Sequence, residues 1–497
     1  MIPLVLRSVR LPGKSDPVDV YVRDGLVHSI VPAGSDRPIG FDGGGDTEEI
    51  AADGRYLLPG LWDEHVHATT WALTSKRVDL SSAASAREVT DIVRGFLADT
   101  AGPSDTLVGV GFRDAVWPDE PSLASLDAAG GGRPVVLVSH DLHCVWLNSA
   151  AASQFEVTVG ADGLLREEAA FDLTQALADL PDTLITAWMI EAADRAASRG
   201  VVGIVDFEMR WNRDDWIRRF SAGFRSLRVD VGVYGEDLGA AVAERMSTGA
   251  PLSESSADLL RVGPLKVIID GSLNTRTAYC VDPYPHGGRG VLTVPEAELV
   301  DLLSRAKTAG FVPAVHAIGD AANRVALDAF ERVGIAGRIE HAQFLRPEEL
   351  SRFAALGVTA SVQPEHALDD RDTAEANWPG ETDRTFPLRS LLDAGARLAF
   401  GSDAPVAPLD PWITMSAATA RARDDGREPW HPEQAVTRLE ALAASTRGRT
   451  GVEVGDVADL VLVDADPLSA PDDVFRRMPV AATLLGGRFT FRSPALP

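Results

Sequence analysis

Leu57-Leu58-Pro59-Gly60-Leu61-Trp62-Asp63-Glu64-His65-Val66-His67 is the stretch on which the reading of this chain turns. An apolar run broken by Pro-Gly resumes briefly and ends in two histidines at spacing i, i+2, which on an extended strand project to one side. Imidazole nitrogen suits zinc and its borderline neighbours, and a strand end can hold two such ligands against one ion while leaving room for water. Alone, the pair reads equally well as two ordinary histidines beside a turn.

Downstream, from about residue 181, helical patterns alternate with short apolar strands. The strands read at 201–207, 227–234, 265–269, 312–316, 338–341, 358–362 and 397–400, with helices such as 296–309 and 321–333 between them. Adding a first strand at 57–62 makes eight, and eight strands alternating with helices predict a (β/α)₈ TIM-like barrel whose chemistry sits at the C-terminal strand ends. Polar residues fall at those positions. His65 and His67 follow strand one, Lys266 lies in strand four, His316 ends strand five, His341 ends strand six and Asp403 follows strand eight. Each has an ordinary packing explanation taken singly, whereas four histidines, a lysine and an aspartate on five strand ends point to a metal site.

The two chain ends carry short alternating segments, 18–22 and 26–30 near the start and 458–464 and 481–489 near the finish. These predict one small β-sandwich domain built from residues 1–56 and 450–497, flanking a barrel of 57–449. Between the histidine pair and about residue 200 lies a long insertion with a helical stretch at 86–98 and strand-like runs at 106–110 and 134–138. It reads as a cap over a site, residues 68–200.

Composition narrows the partners. The 497 residues carry a formal net charge of −26, which disfavours nucleic acid and anionic membranes and favours a small-molecule substrate. Cys144 and Cys280 are too few and too far apart for a disulfide framework or a thiolate zinc site. The opening apolar run is too short for a signal peptide and no stretch is long enough to span a bilayer, so the expected location is cytoplasmic. A homodimer is the default expectation for the assembly.

As an ordered set the motifs resemble the amidohydrolase superfamily, in its family 3 branch of N-substituted formamide deformylase-like and YtcJ-like proteins. The likeness rests on His65-x-His67, Lys266 with Asp270-Gly271-Ser272-Leu273, His316-Ala317-Ile318-Gly319-Asp320-Ala321, Glu340-His341-Ala342-Gln343 and Gly401-Ser402-Asp403-Ala404-Pro405-Val406. Cap segments Gly111-Phe112-Arg113-Asp114 and His143 with Trp146-Leu147-Asn148-Ser149 add to it. The resemblance implies one or two divalent metal ions, zinc foremost. His65, His67, Lys266 and Asp403 would hold one, and Lys266, His316 and His341 a second bridged by a carbamylated Lys266. Deaminase-type members carry a glutamate three residues after the strand-five histidine; that position is Gly319 here, which argues against deamination.

The expected activity is hydrolysis of a non-peptide C–N bond, amide or formamide in type, by a water that the metal activates, with Asp403 taking the proton and returning it to the leaving amine. A non-catalytic binding or regulatory protein on the same barrel is the alternative from another class, and a metal-dependent lyase or isomerase the alternative on the same fold. His143, Arg276, Tyr279, Gln363 and Trp378 are candidate substrate contacts, placed where loops should converge. Each also has a structural explanation: Tyr279 and Trp378 as core, Arg276 in a surface pair, Gln363 behind a ligand. His140, His286, His366 and His431 have no evident ligand role.

Overall fold

The computed structural model describes residues 2–39, 41, 47–99, 106–112, 117–139, 144–166, 168–178, 180–256, 258–273, 275–285 and 287–496. His143, His140, His286 and the cap residues Arg113 and Asp114 lie outside them. The chain divides into two compact units, one of residues 1–68 and 193–497 and the other of residues 69–192.

The first unit holds eight parallel strands in sequential order: Leu61–Val66, Val201–Asp206, Arg228–Tyr234, Leu260–Ile268, Pro313–Ala317, Arg338–His341, Thr359–Val362 and Arg397–Phe400. Strands buried on both faces read as continuous runs rich in β-branched residues, as in Val201-Val202-Gly203-Ile204-Val205-Asp206, all six buried. Between the last and the first strand the barrel nearly closes. The Asp403 amide donates to the His65 carbonyl (2.8 Å), the His67 amide donates to that of Ala404 (2.9 Å), and Val66 and Ala404 form a parallel bridge. Helices end where left-handed glycines stop them: Glu296–Ala309 at Gly310, Asp320–Val333 at Gly334 and Pro347–Leu356 at Gly357. Their apolar faces pack on the strands in one core that includes Leu265, Leu303, Phe330, Phe353 and Trp412.

One prediction is corrected. The stretch 57–62 is not one barrel strand, because Tyr56–Pro59 pairs antiparallel with Leu460–Val463 in a separate sheet and the first barrel strand is Leu61–Val66. Gly60 is the point of division. Its amide donates to the Asp459 carbonyl, and a Cβ there would sit 2.4 Å from a methyl of Val202, so only glycine lets the chain pass from one sheet to the other against the second barrel strand.

Two four-stranded sheets complete this unit. One contains Leu4–Val9, Val18–Arg23, Leu26–Pro32 and Glu48–Ala51; the other contains Tyr56–Pro59, Leu460–Val463, Val480–Leu485 and Arg488–Arg492. Leu4, Leu6, Val20 and Ile50 from the first share one buried cluster with Leu57, Leu460, Leu462 and Leu484 from the second.

The second unit is organised on a five-stranded sheet of Val78–Asp79, Leu107–Phe112, Val135–Ser139, Cys144–Leu147 and Leu164–Arg166. Alternation along its strands feeds two apolar clusters, one holding Leu107, Leu137 and Trp146 and the other Val136, Val138 and Val145. No helix among the described residues is long and apolar enough to cross a membrane.

Candidate metal centre

Six of the barrel strands bring side chains together, the first and the fourth to the eighth. His67 Nε2 lies 3.1 Å and His65 Nε2 3.5 Å from Asp403 Oδ1, while His366 Nε2 lies 3.3 Å from Asp403 Oδ2. His65, His67 and Asp403 each place a ligand atom within 4.8 Å of the others, and so do His341, His366 and Asp403. The His316 and His341 rings meet edge to face at 4.5 Å, and the His65 and His341 ring centroids are 5.2 Å apart. Lys266 Nζ stands 3.3 Å from His65 Nε2, over the ring of Phe207 at 4.4 Å.

Local backbone conformation aims these groups. His341 and Asp403 take positive φ, +73° and +58°, which turns their side chains off the strand direction. Asp63 accepts the Ser402 amide (2.9 Å) and the His65 amide (3.2 Å), tying strand one to the segment that carries Asp403. Asp270 accepts the amides of Tyr279, Ile318 and Gly319 at 2.9 to 3.0 Å, and so fixes the turn after His316 to the loop after Lys266. Burial pushes the Asp63 and Asp270 carboxyls up to about 7 against these donors.

Burial also governs the imidazoles. It pulls His65 down to about 4 and His316 to about 3, with the Lys266 charge adding to both, and holds His341 well below its ordinary value. Burial lowers the Lys266 amine to about 8, opposed by Glu340 and Asp403. His67 and His366 run the other way: burial lowers them, but the Asp403 carboxylate more than compensates and raises both. Asp403 itself is pushed up by burial yet held well below the carboxylate range by His65, His366 and His67.

His316 Nε2, His341 Nδ1 and His366 Nδ1 are buried with no hydrogen-bond partner. Buried polar atoms are normally satisfied. Buried imidazole nitrogens with unmet lone pairs beside an ionised carboxylate are donors of the kind that hold a divalent cation, so the residues present fit a metal ion.

The predicted pocket residues scatter. Gln363 is buried with its amide nitrogen 3.3 Å from His65 Nδ1, behind the ring. Trp378 stacks on Phe344 at 4.3 Å in an apolar cluster with Tyr284 and Trp430, a packing position. Tyr279 is half-buried against the barrel core and donates its amide to Asp270. The Arg276 side chain is exposed. Sequence reasoning passed over His366, which begins the short helix His366–Asp369 after strand seven, and Glu340, which was read only as part of a motif. The signal for His366 was its place, three residues past Gln363 at a strand end; for Glu340 it was a carboxylate inside the apolar strand Arg338–His341.

An eight-stranded parallel barrel with histidines and an aspartate gathered at its C-terminal strand ends defines a metal-dependent barrel protein. The sequence profile of the Amidohydrolase family matches residues 48–491, and the chain belongs to that family of hydrolases. Among its relatives, Protein LONG AFTER FAR-RED 3 of Arabidopsis thaliana is 30% identical over 448 residues, covering 82% of this chain and 76% of the relative. N-substituted formamide deformylase of Arthrobacter pascens is 26% identical, covering 89% of each chain. An uncharacterized metal-dependent hydrolase of Pyrococcus furiosus shares the fold with a TM-score of 0.76 at 24% identity, covering 94% of this chain and 100% of that one.

Proposed function

We propose that this protein is a metal-dependent amidohydrolase that cleaves a non-peptide C–N bond, amide or formamide in type, in a small molecule. The observation that carries the reading is the gathering of His65, His67, His341 and His366 at the ionised Asp403 carboxylate, beside buried nitrogens of His316, His341 and His366 that no hydrogen bond satisfies. The name of the formamide deformylase relative supports the bond type.

His65, His67, Lys266 and Asp403 would hold one ion, with Lys266, His316 and His341 holding a second; zinc suits this donor set, and His366 stands close enough to join it. When bound, the metal would supply an activated water and a polarised carbonyl. Lowering of the Lys266 amine to about 8 enlarges the share of free amine able to add carbon dioxide, which supports its carbamylation. Asp403, ionised at neutral pH and flanked by His67 and His366, is placed to accept the proton of the attacking water and deliver it to the departing nitrogen. Gly319 supports hydrolysis over deamination. A Cβ at this position would lie 2.1 Å from the Tyr279 carbonyl oxygen, so no glutamate fits there.

In the same reading, the two four-stranded sheets drawn from the chain ends, with Tyr56–Pro59 in the second, form one β-sandwich domain, the barrel begins at Leu61, and the enzyme works as a cytoplasmic homodimer. Metal analysis of protein purified without chelator, followed by a screen of N-formyl, N-acyl, carbamate and lactone substrates, tests the activity. Bound metal with amine release from an N-formyl or N-acyl compound is the expected result. Metal-free protein inert to every class overturns it in favour of a binding role.

A further inference from the structure

Glu340 is fully buried, immediately precedes His341, and has no part in the chemistry above. Its carboxylate accepts from the Arg338 guanidinium (Nε, 2.5 Å), the Ser361 hydroxyl (2.7 Å) and His65 Nδ1 (2.7 Å). Arg338 continues the line, donating to Glu64 (2.7 Å), which also accepts from Arg447 (2.6 Å). Arg447 lies over the Trp62 ring, 39% exposed, in the cavity at the far end of the barrel. A chain of alternating charge thus runs through the barrel interior from that cavity to the back of one candidate ligand.

One form of His65 suits both Glu340 and Lys266, and in it the Gln363 side-chain nitrogen, 3.3 Å from the same Nδ1, makes no hydrogen bond to that atom. An ionised carboxylate can only accept, so Nδ1 must carry the proton. Nε2 faces Lys266 Nζ at 3.3 Å, a donor, so Nε2 offers its lone pair on the side where His67 and Asp403 stand. Ser361, at the third position of strand seven, donates to Oε2, the same oxygen that faces His65 Nδ1, while Arg338 Nε holds Oε1, and together they limit the rotation of the carboxylate.

We propose that Glu340, itself fixed by Arg338 and Ser361, is a positioning residue of the metal centre that locks His65 with its proton on Nδ1 and its Nε2 lone pair directed at the ion. The inference rests on the metal-centre reading above. A carboxylate behind a ligating imidazole raises the basicity of the metal-facing nitrogen and fixes the ring, and loss of such a partner typically weakens metal binding 10- to 100-fold. Glu340 is well made for this, because the three donors around it keep it charged and immobile without contact with solvent.

The test is zinc affinity, measured on the metal-free full-length protein by competition with a chromophoric chelator, alongside its melting temperature without metal. Glu340→Gln should bind zinc about 10- to 100-fold more weakly than the parent, and Ser361→Ala, which removes one hydrogen bond to the same carboxylate, several-fold more weakly. A residue that only stabilises the fold would lower the melting temperature and leave zinc affinity unchanged. If Glu340→Gln does not fold, Ser361→Ala decides alone. Zinc affinity within twofold of the parent in the folded variants overturns the positioning role while leaving the metal centre standing. A parent that takes up no zinc overturns both.

Discussion

The two ends of the barrel invert the usual relation between space and function. Where the strands begin there is a cavity of about 1270 Å³, lined by Trp62, Arg228, Arg261, Gly263, Arg397 and Arg447. Several of its charges are paired: Arg228 with Asp459 at 2.6 Å, Arg447 with Glu64 and Asp230 at 2.6 and 2.7 Å, and Arg449 with Asp456 at 2.8 Å. Where the strands finish, the polar groups are packed together and several buried ones have no partner. Volume marks the first end and unmet bonding capacity marks the second. Unmet capacity is the better guide to chemistry, because a buried lone pair without a donor costs free energy unless a ligand repays it in the working state.

Breaking the finishing end should cost most. Asp403→Asn keeps the shape and the left-handed backbone but removes the charge shared by His67 and His366. We expect kcat to fall by at least about a thousandfold, the upper part of the range for a lost acid–base group, with a smaller change in KM. Steady-state kinetics on the substrate found by the screen measure it, and a variant within tenfold of the parent would remove Asp403 from the mechanism.

Gly319→Ala tests how tightly that end is built. The added methyl meets the Tyr279 backbone, which cannot swing aside as a side chain would. The variant should lose about 1–3 kcal/mol in urea unfolding, the usual cost of overpacking, and bind zinc less well through displacement of His316.

Acid should separate the ends without mutation. In the folded, metal-free chain His65 and His316 ionise only near 4 and near 3, against 6.5 in the unfolded chain. Their contribution is therefore present above pH 6.5 and is lost as pH falls towards 4 and 3, since the unfolded state takes up protons that the folded state refuses. The full loss is on the order of 3 kcal/mol for His65 and about 5 kcal/mol for His316. His67 and His366, raised by Asp403, oppose this over the upper part of the range. Urea midpoints of chelator-treated protein between pH 7 and pH 4 should decline, and a flat profile would contradict the buried neutral imidazoles.

The smallest functional effect belongs to the starting end. Arg228→Met breaks the pair with Asp459, both partners being largely buried, and should cost about 3 kcal/mol of stability. It should leave kcat/KM within twofold. A tenfold loss of kcat/KM at unchanged folding would show that the cavity end takes part in turnover.

Much of this was readable from the chain because polar residues are conspicuous on strands buried on both faces. His316 in Pro313–Ala317 and Lys266 in Leu260–Ile268 stand out against apolar neighbours, and counting strands from them gave the barrel. Residues 57–62 misled because an apolar run is the same letters whichever sheet it joins; only the contact of Gly60 with Val202 divides it. His366 escaped because a four-residue helix has no periodicity to read, and its meaning comes from the Asp403 carboxylate 37 positions away. Trp378 looked like a pocket residue for the reason that it packs well, since large aromatic side chains serve either purpose. Gln363 directly follows strand seven, and its neighbour is a histidine ring of the centre.

The Gly319–Tyr279 contact sets a limit on how this scaffold can be re-engineered. Installing a proton-shuttling glutamate after strand five is a one-codon idea on paper, yet the carbonyl of Tyr279 occupies the volume its first carbon would need. That carbonyl also accepts the Ala322 amide, and the Tyr279 amide is held by Asp270. A laboratory lineage from this hydrolase towards a deaminase would have to rebuild the loop after strand four before position 319 becomes a variable at all.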